Sequence, residues 1–190
     1  MKKIIAVAAL AVGLVSLSAS AERADSLKQA KIDFSNAHID EVTQTRTFTG
    51  NVVLTRGTLT IKADKAVLKE SPEGYMAVTL TAAPGQPATF RQKRDGGPDL
   101  WVEGQAQRIE YDERAELVKL FTTAEVRELE NGRMTNEIKG PFISYDNRRE
   151  VAQVRNDASG ASKVGGGRGT LILSPKRTTA PAAPAPAGKP

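Results

Sequence analysis

Between residues 22 and 174 apolar and polar residues alternate at the period of a β-strand, in runs kept short by glycine and proline. Leu59, Ile61 and Ala63 alternate with Thr58, Thr60 and Lys62, which puts one set on each face of a strand. No convincing amphipathic helix longer than about two turns interrupts the pattern. Strands are expected over residues 48–54, 58–68, 76–81, 88–92, 100–103, 105–111, 116–122, 124–129, 135–139, 142–145, 150–155 and 171–173. Gly57, Pro72-Glu73-Gly74, Pro84-Gly85-Gln86-Pro87 and Asp95-Gly96-Gly97-Pro98 punctuate them with turn formers. Many short strands at roughly 8–12-residue spacing indicate an all-β sandwich or barrel of antiparallel hairpins.

A weak repeat runs through these strands. Ile109-Glu110-Tyr111-Asp112 recurs as Ile143-Ser144-Tyr145-Asp146, with looser copies at Ile61-Lys62-Ala63-Asp64 and Ile32-Asp33-Phe34-Ser35. Gly57, Gly104 and Gly140 lie near three of the copies. A repeated strand-turn-strand unit suggests stacked hairpins whose neighbours jointly bury one apolar face.

The two ends differ from this body. Met1-Lys2-Lys3, an apolar run from Ile4 to Leu17 broken only by Gly13 and Ser16, and the small residues Ala19-Ser20-Ala21 form the pattern of a secretory signal peptide over residues 1–21. That run is short for a membrane span, which needs about 20 residues. No cysteine is present to carry a lipid or a disulfide. The expectation is an exported, soluble, periplasmic chain starting at Glu22, with one domain over residues 22–174. Residues 175–190 are rich in Pro and Ala, without apolar periodicity, and read as a disordered tail. Of 27 Lys and Arg, five lie in these ends (Lys2, Lys3, Lys176, Arg177, Lys189), so the body balances 22 basic against 22 acidic residues. A neutral body without a long basic run argues against nucleic-acid binding.

Catalytic chemistry finds little support. The one histidine, His38, has no second His or Cys to share a metal with. Asp40 and Glu41 point to opposite faces of a strand. Glu110 and Asp112 share a face, where a solvated pair is the simpler reading. No calcium loop, nucleophile elbow, phosphate loop or dinucleotide fingerprint occurs. No catalytic residue, metal ligand or cofactor is therefore assigned, and the chain is read as a non-enzyme. What remains is an interior of Val, Leu and Ile with few aromatics. Periodicity alone does not separate a filled core from an apolar groove open to acyl chains.

The run Phe48-Thr49-Gly50-Asn51-Val52-Val53-Leu54-Thr55-Arg56-Gly57, continuing to Ala63-Asp64, resembles the signature of the OstA/LptA-like family of lipopolysaccharide export proteins. Gly85-Gln86-Pro87-Ala88-Thr89-Phe90, then Val102-Glu103-Gly104 and Ile109-Glu110-Tyr111, form a second match. Ile138-Lys139-Gly140 with Ile143-Ser144-Tyr145 forms a third. The resemblance covers about residues 28–155.

That resemblance implies a single twisted, folded-over antiparallel sheet, a β-jellyroll or β-taco, with open ends and an apolar inner face. It implies a periplasmic carrier that binds lipopolysaccharide acyl chains in the groove. Self-association end to end would bridge an inner-membrane bitopic partner of similar fold and an outer-membrane translocon. Carried over by position, Ile32, Phe90 and Tyr111 are the implied lipid-facing residues. Phe34 joins them by strand alternation, with Val52, Leu54, Leu59, Ile61 and Phe121 as further candidates whose faces depend on register. Gly50-Asn51 and Gly57 are expected to shape turns. Arg91, Lys93 and Arg94 make the segment after Phe90 more basic than the family pattern; a solvated hairpin end is the expectation and contact with lipid phosphates the alternative. The competing reading is a structural or adaptor β-domain of the envelope that binds no lipid.

Overall fold

The computed structural model describes residues 25, 28–97, 99–146, 149 and 151–175. The expected signal peptide, and the tail from residue 176 on, lie outside these. Among the described residues twelve strands form one sheet: β1 (Ala30–Asp33), β2 (Asn36–Asp40), β3 (Thr45–Arg56), β4 (Leu59–Glu70), β5 (Met76–Thr81), β6 (Ala88–Lys93), β7 (Leu100–Ala106), β8 (Arg108–Asp112), β9 (Leu117–Glu130), β10 (Arg133–Asp146), β11 (Val151–Arg155) and β12 (Thr170–Leu173). Every pairing is antiparallel.

The connectivity is an up-and-down meander of long rungs, each broken or bent near its middle. β3 pairs with both β1 and β2, which lie end to end. β4 pairs with both β5 and β6. β9 pairs with β7 and β8, and β10 with β11 and β12. Four interrupted rungs and the four long strands β3, β4, β9 and β10 make eight. The interruptions align across the sheet. They fall at residues 34–35, at Gly50-Asn51, at Asp64-Lys65, at 82–87, at Gln107, at Thr122-Thr123, at Gly140-Pro141 and at 156–169. Gly50, Asn51, Thr122 and Thr123 all take positive φ there. This line is a crease. It divides the sheet into one leaf built from β1, β6, β7, β12 and the adjoining halves of β3, β4, β9 and β10, and a second built from β2, β5, β8, β11 and the other halves.

Local chemistry sets the turns. Asn131 and Gly132, both at positive φ, make the two-residue connection between β9 and β10 whose twist suits a hairpin. Asp40 Oδ1 accepts from the Val42 and Thr43 amides at 2.9 and 3.0 Å, an Asx turn leading into β3. Those two bonds favour the carboxylate, the Thr43 amide most, and hold the Asp40 pKa below its ordinary value.

The leaves close on one core. Phe48, Ala66, Leu68, Val78, Leu80, Ile109, Leu120 and Ile143 on one leaf pack with Val52, Ala88, Ala106 and Ala124 nearer the crease and on the other. Leu120 and Ile143 are 1% and 2% exposed; burying each such side chain contributes roughly 1.5–3 kcal/mol. The architecture is the folded-over sheet, not a closed barrel or two separate sheets: β1–β2 and β11–β12 end the path with unpaired edges.

Several boundaries differ from expectation. The run 105–111 spans two strands, because the Gln107 amide leaves the ladder to bond the Thr122 carbonyl at 3.2 Å, while its own carbonyl accepts from Ala82 at 2.9 Å. The runs 116–122 and 124–129 are one strand, β9, as are 135–139 and 142–145 in β10. β1 overlaps the loosest copy of the repeat, and β2 has no counterpart among the expected strands. The repeat itself is not a stack of equivalent hairpins. Ile109 and Ile143 both pair with Leu120, and Tyr111 and Tyr145 both pair with Val118, on either side of β9. Ile32 and Ile61 flank Leu54 of β3 in the same way.

Candidate functional site

Direct partners in an antiparallel ladder point to the same face. Following partners from strand to strand therefore traces single faces across the molecule. On the first leaf one row reads Ile32, Leu54, Ile61, Phe90, Gly104, Val126, Ile138, Leu171, from one free edge to the other. On the second leaf Ala37, Phe48, Ala66, Leu80, Ile109, Leu120, Ile143 and Val154 form the matching row. A third row there joins Leu68, Val78, Tyr111, Val118 and Tyr145. These rows face each other inside the fold, and both run out to the sheet edges.

Most of the residues expected from sequence lie here. Ile32, Leu54, Ile61 and Phe90 are consecutive in the first-leaf row. Val52, opposite Ala63, sits one step toward the crease, and Leu59, opposite Arg56, one step toward the strand ends. Phe34 lies at the crease with its ring 4.8 Å from that of Phe48. Tyr111 belongs to the second leaf. Burial raises its phenol pKa, and the Glu113 and Glu116 carboxylates add to the rise.

Phe121 does not belong with them. Leu120 faces inward between Ile109 and Ile143, so the next side chain must face outward. Phe121 pairs there with Phe142, ring centroids 5.1 Å apart and edge-on, under the Arg108 guanidinium 3.9 Å from its ring. Sequence reasoning missed Phe48, Leu80, Ile109, Val126 and Ile138 as members of the inner face. For Ile109 the I-x-Y-D repeat was an available signal, since Ile109 and Ile143 both pair with the inward Leu120.

The outer face carries the opposite chemistry. Lys62, Thr89, Gln105, Glu125 and Lys139 form one row, and Thr60, Arg91, Glu103, Arg127 and Glu137 the next. Glu125 and Glu137 are buried carboxylates, and Arg127 and Lys139 pair with both. Lys139 first, then Arg127, hold the Glu137 pKa below its ordinary value against its desolvation. A depression of about 310 Å³ opens on this face beside Arg91, Glu103 and Glu125; Arg91 pairs there with Glu103, and Arg127 with Glu125. Arg91 pairs with Glu103 and lies 4.3 Å from the Trp101 ring, and Arg94 pairs with Glu128 at 2.9 Å. The basic segment is thus engaged with the sheet. Glu110 pairs with Arg108 at 3.3 Å, and Asp112 accepts the Ala115 amide at 2.9 Å, so both have structural partners. Among the described residues no three His, Cys, Asp or Glu are grouped to hold a metal ion, and no helix is long and apolar enough to cross a membrane.

At the strand ends polar residues enter the inner face. Arg56, Gln92, Glu128 and Asn136 follow Leu54, Phe90, Val126 and Ile138 at the rim of the first leaf, in one row with Leu59 and Val102. Asp25 is buried there: Oδ1 accepts from the Thr58 amide at 2.9 Å, and Oδ2 from Thr58 Oγ1 at 2.5 Å and Gln92 Nε2 at 3.2 Å.

Residues 31–151 match the family model described as LptA/(LptD N-terminal domain) LPS transport protein. The lipopolysaccharide export system protein LptA of Haemophilus influenzae is 32% identical over 164 residues, 86% of this chain and 87% of that protein. LptA of Escherichia coli K12 is 31% identical over 162 residues, 85% of this chain and 80% of that protein. Among solved structures, the chain is similar in fold to LptH of Pseudomonas aeruginosa, described as the LptA-homologous periplasmic component of the conserved lipopolysaccharide transport device. The TM-score is 0.64 at 23% identity, covering 78% of this chain and 96% of that one.

Proposed function

This chain belongs to the family of LptA and the LptD N-terminal domain, and from that membership we propose that it is a periplasmic, non-enzymatic carrier and bridge component for lipopolysaccharide. The acyl chains occupy the space between the leaves, and the sugars stay in water. The observation that carries the reading is the apolar row running unbroken from Ile32 at one free edge to Leu171 at the other. Each buried CH₂ is worth about 0.8 kcal/mol, so a lipid with several chains crosses water too slowly without such a lining. No cofactor is needed, because the protein supplies a path and the work is done elsewhere.

Edge geometry supports end-to-end assembly. The rungs alternate in direction and their number is even, so the first and last run opposite ways. Laid side by side, β12 of one copy and β1 of the next continue the antiparallel ladder, leaf on leaf, with Leu171 beside Ile32. This is β-augmentation of exposed edges in a head-to-tail contact that propagates. Partners at the two termini of such a bridge are an inner-membrane bitopic protein of similar fold and an outer-membrane translocon.

The test is photocrosslinking in living cells. Photoreactive residues at Phe90 and Tyr111 should yield lipopolysaccharide adducts, and one at Lys62, which shares the outer face with Thr89 and Gln105, should not. Protein adducts alone at the inner positions would favour an adaptor without lipid.

A further inference from the structure

Among the described residues, an ion pair joins the rims of the two leaves. Arg56 ends β3 on the first leaf, and Glu113 follows β8 on the second. Arg56 Nη1 and Glu113 Oε1 are 4.0 Å apart, at the outer limit of an ion pair, with side chains 24% and 29% exposed. Both ends have other holds. Glu113 Oε2 accepts the Met76 amide at 2.8 Å, and the Glu113 amide donates to the Met76 carbonyl at 3.0 Å. Arg56 Nε donates to the Lys28 carbonyl at 3.1 Å. The Arg56 charge also reaches inward, acting on Tyr111 of the opposite leaf.

The first-leaf row from Ile32 to Leu171 and its second-leaf match are apolar, and the crease is closed by continuous chain. Away from the two sheet edges, a headgroup whose acyl chains lie between the leaves emerges between the rims, where Arg56, opposite Leu59, lies one step beyond Leu54. Glu113 remains hydrogen-bonded to Met76 when Arg56 lets go, so the exchange strands no carboxylate without a partner. A planar guanidinium gives two parallel bonds to a phosphate. We propose that Arg56 binds the phosphate of the lipid whose chains occupy the groove, exchanging Glu113 for it as the leaves part. The pair is thus a latch on the empty carrier and a headgroup site on the loaded one. This inference rests on the carrier reading above.

The test is a titration of the mature protein with fluorescent diphosphorylated lipid A, with the same lipid after its phosphates are removed, and with inorganic phosphate as competitor. Arg56→Gln should weaken binding of the phosphorylated lipid about tenfold, the loss of roughly one charge-assisted contact, and leave the dephosphorylated lipid unchanged. Arg56→Lys should recover part of the loss. Glu113→Gln should tighten the phosphorylated lipid only, a readout that stands even if Arg56→Gln unfolds. Equal weakening of both lipids by Arg56→Gln would make Arg56 structural and overturn the proposal. Inorganic phosphate competing at the lipid's own concentration would assign the site to free phosphate and overturn it too. Wild-type protein taking up both lipids, with variants indistinguishable from it, would sink the headgroup site alone. Wild-type protein taking up neither would sink the carrier reading and this site with it.

Discussion

Phe90 lies against Gly104 across β6 and β7, and a Cβ built at 104 would overlap its ring. The glycine is required by space. Gly104→Ala should destabilise by about 1–3 kcal/mol through overpacking. In a Phe90→Ala background the same change should cost little, and thermal unfolding of the four proteins gives the coupling. Asp25 is a different kind of residue: a buried carboxylate at the rim, with hydrogen bonds as its compensation. Burial alone would push its pKa up, but the bonds from Thr58 and Gln92 outweigh burial and hold it below its ordinary 3.8. A depressed folded-state pKa contributes stability that is complete above the unfolded value and lost as pH falls through the folded one. Asp25→Asn should therefore be less stable than wild type at neutral pH. The gap should close below about pH 4, which unfolding midpoints across a pH series would show.

At the scale of the element, the crease is where the strands are least regular. Thr122 and Thr123 take φ of 63° and 49° in the middle of β9, a region costly for β-branched residues. The strain is held in place by the halves of β9 on either side, which pair with β8 and β7 respectively. Thr122 is exposed, so Thr122→Gly removes the backbone penalty without opening the core. The expected result is a gain of about 1 kcal/mol, read from the denaturant midpoint at constant m-value. An unchanged or lowered midpoint would mean that β9 takes up the bend without strain. Bulges at Thr49/Val52 in the β3–β4 pairing and at Gly140/Phe142 in the β9–β10 pairing do related work. Each adds a residue at the crease, so the same face remains inward on both leaves.

For the whole molecule, the decisive feature is that the sheet ends in two open edges. Leu171 is 57% exposed at the last one, where an isolated domain would be expected to place a charge. Leu171→Lys should leave the unfolding temperature nearly unchanged, since the side chain is already in water. It should also abolish concentration-dependent growth of the particle in light scattering. Oligomers persisting in this variant would move the assembly surface away from β12.

Much of this was legible before any coordinates. The period-2 alternation of Leu59, Ile61 and Ala63, the turn residues between runs, and the F-T-G-N-V block pointed to an antiparallel all-β chain of this family, because these signals are local. Ile32, Leu54, Ile61 and Phe90 were legible as candidates for one face, but not as one row, since a row is a property of register between strands distant in sequence. The face of Phe121, shared with Phe142 and not with Leu120, was illegible for the same reason: a strand's alternation says which residues share a face, not which face is inside. Tertiary structure alone decided that the middles of the rungs align in a crease. Only the resulting fold brings Arg56 and Glu113 together, fifty-seven positions apart in sequence, because the meeting of two rims depends on how the sheet bends across its strands, and no single strand encodes that bend.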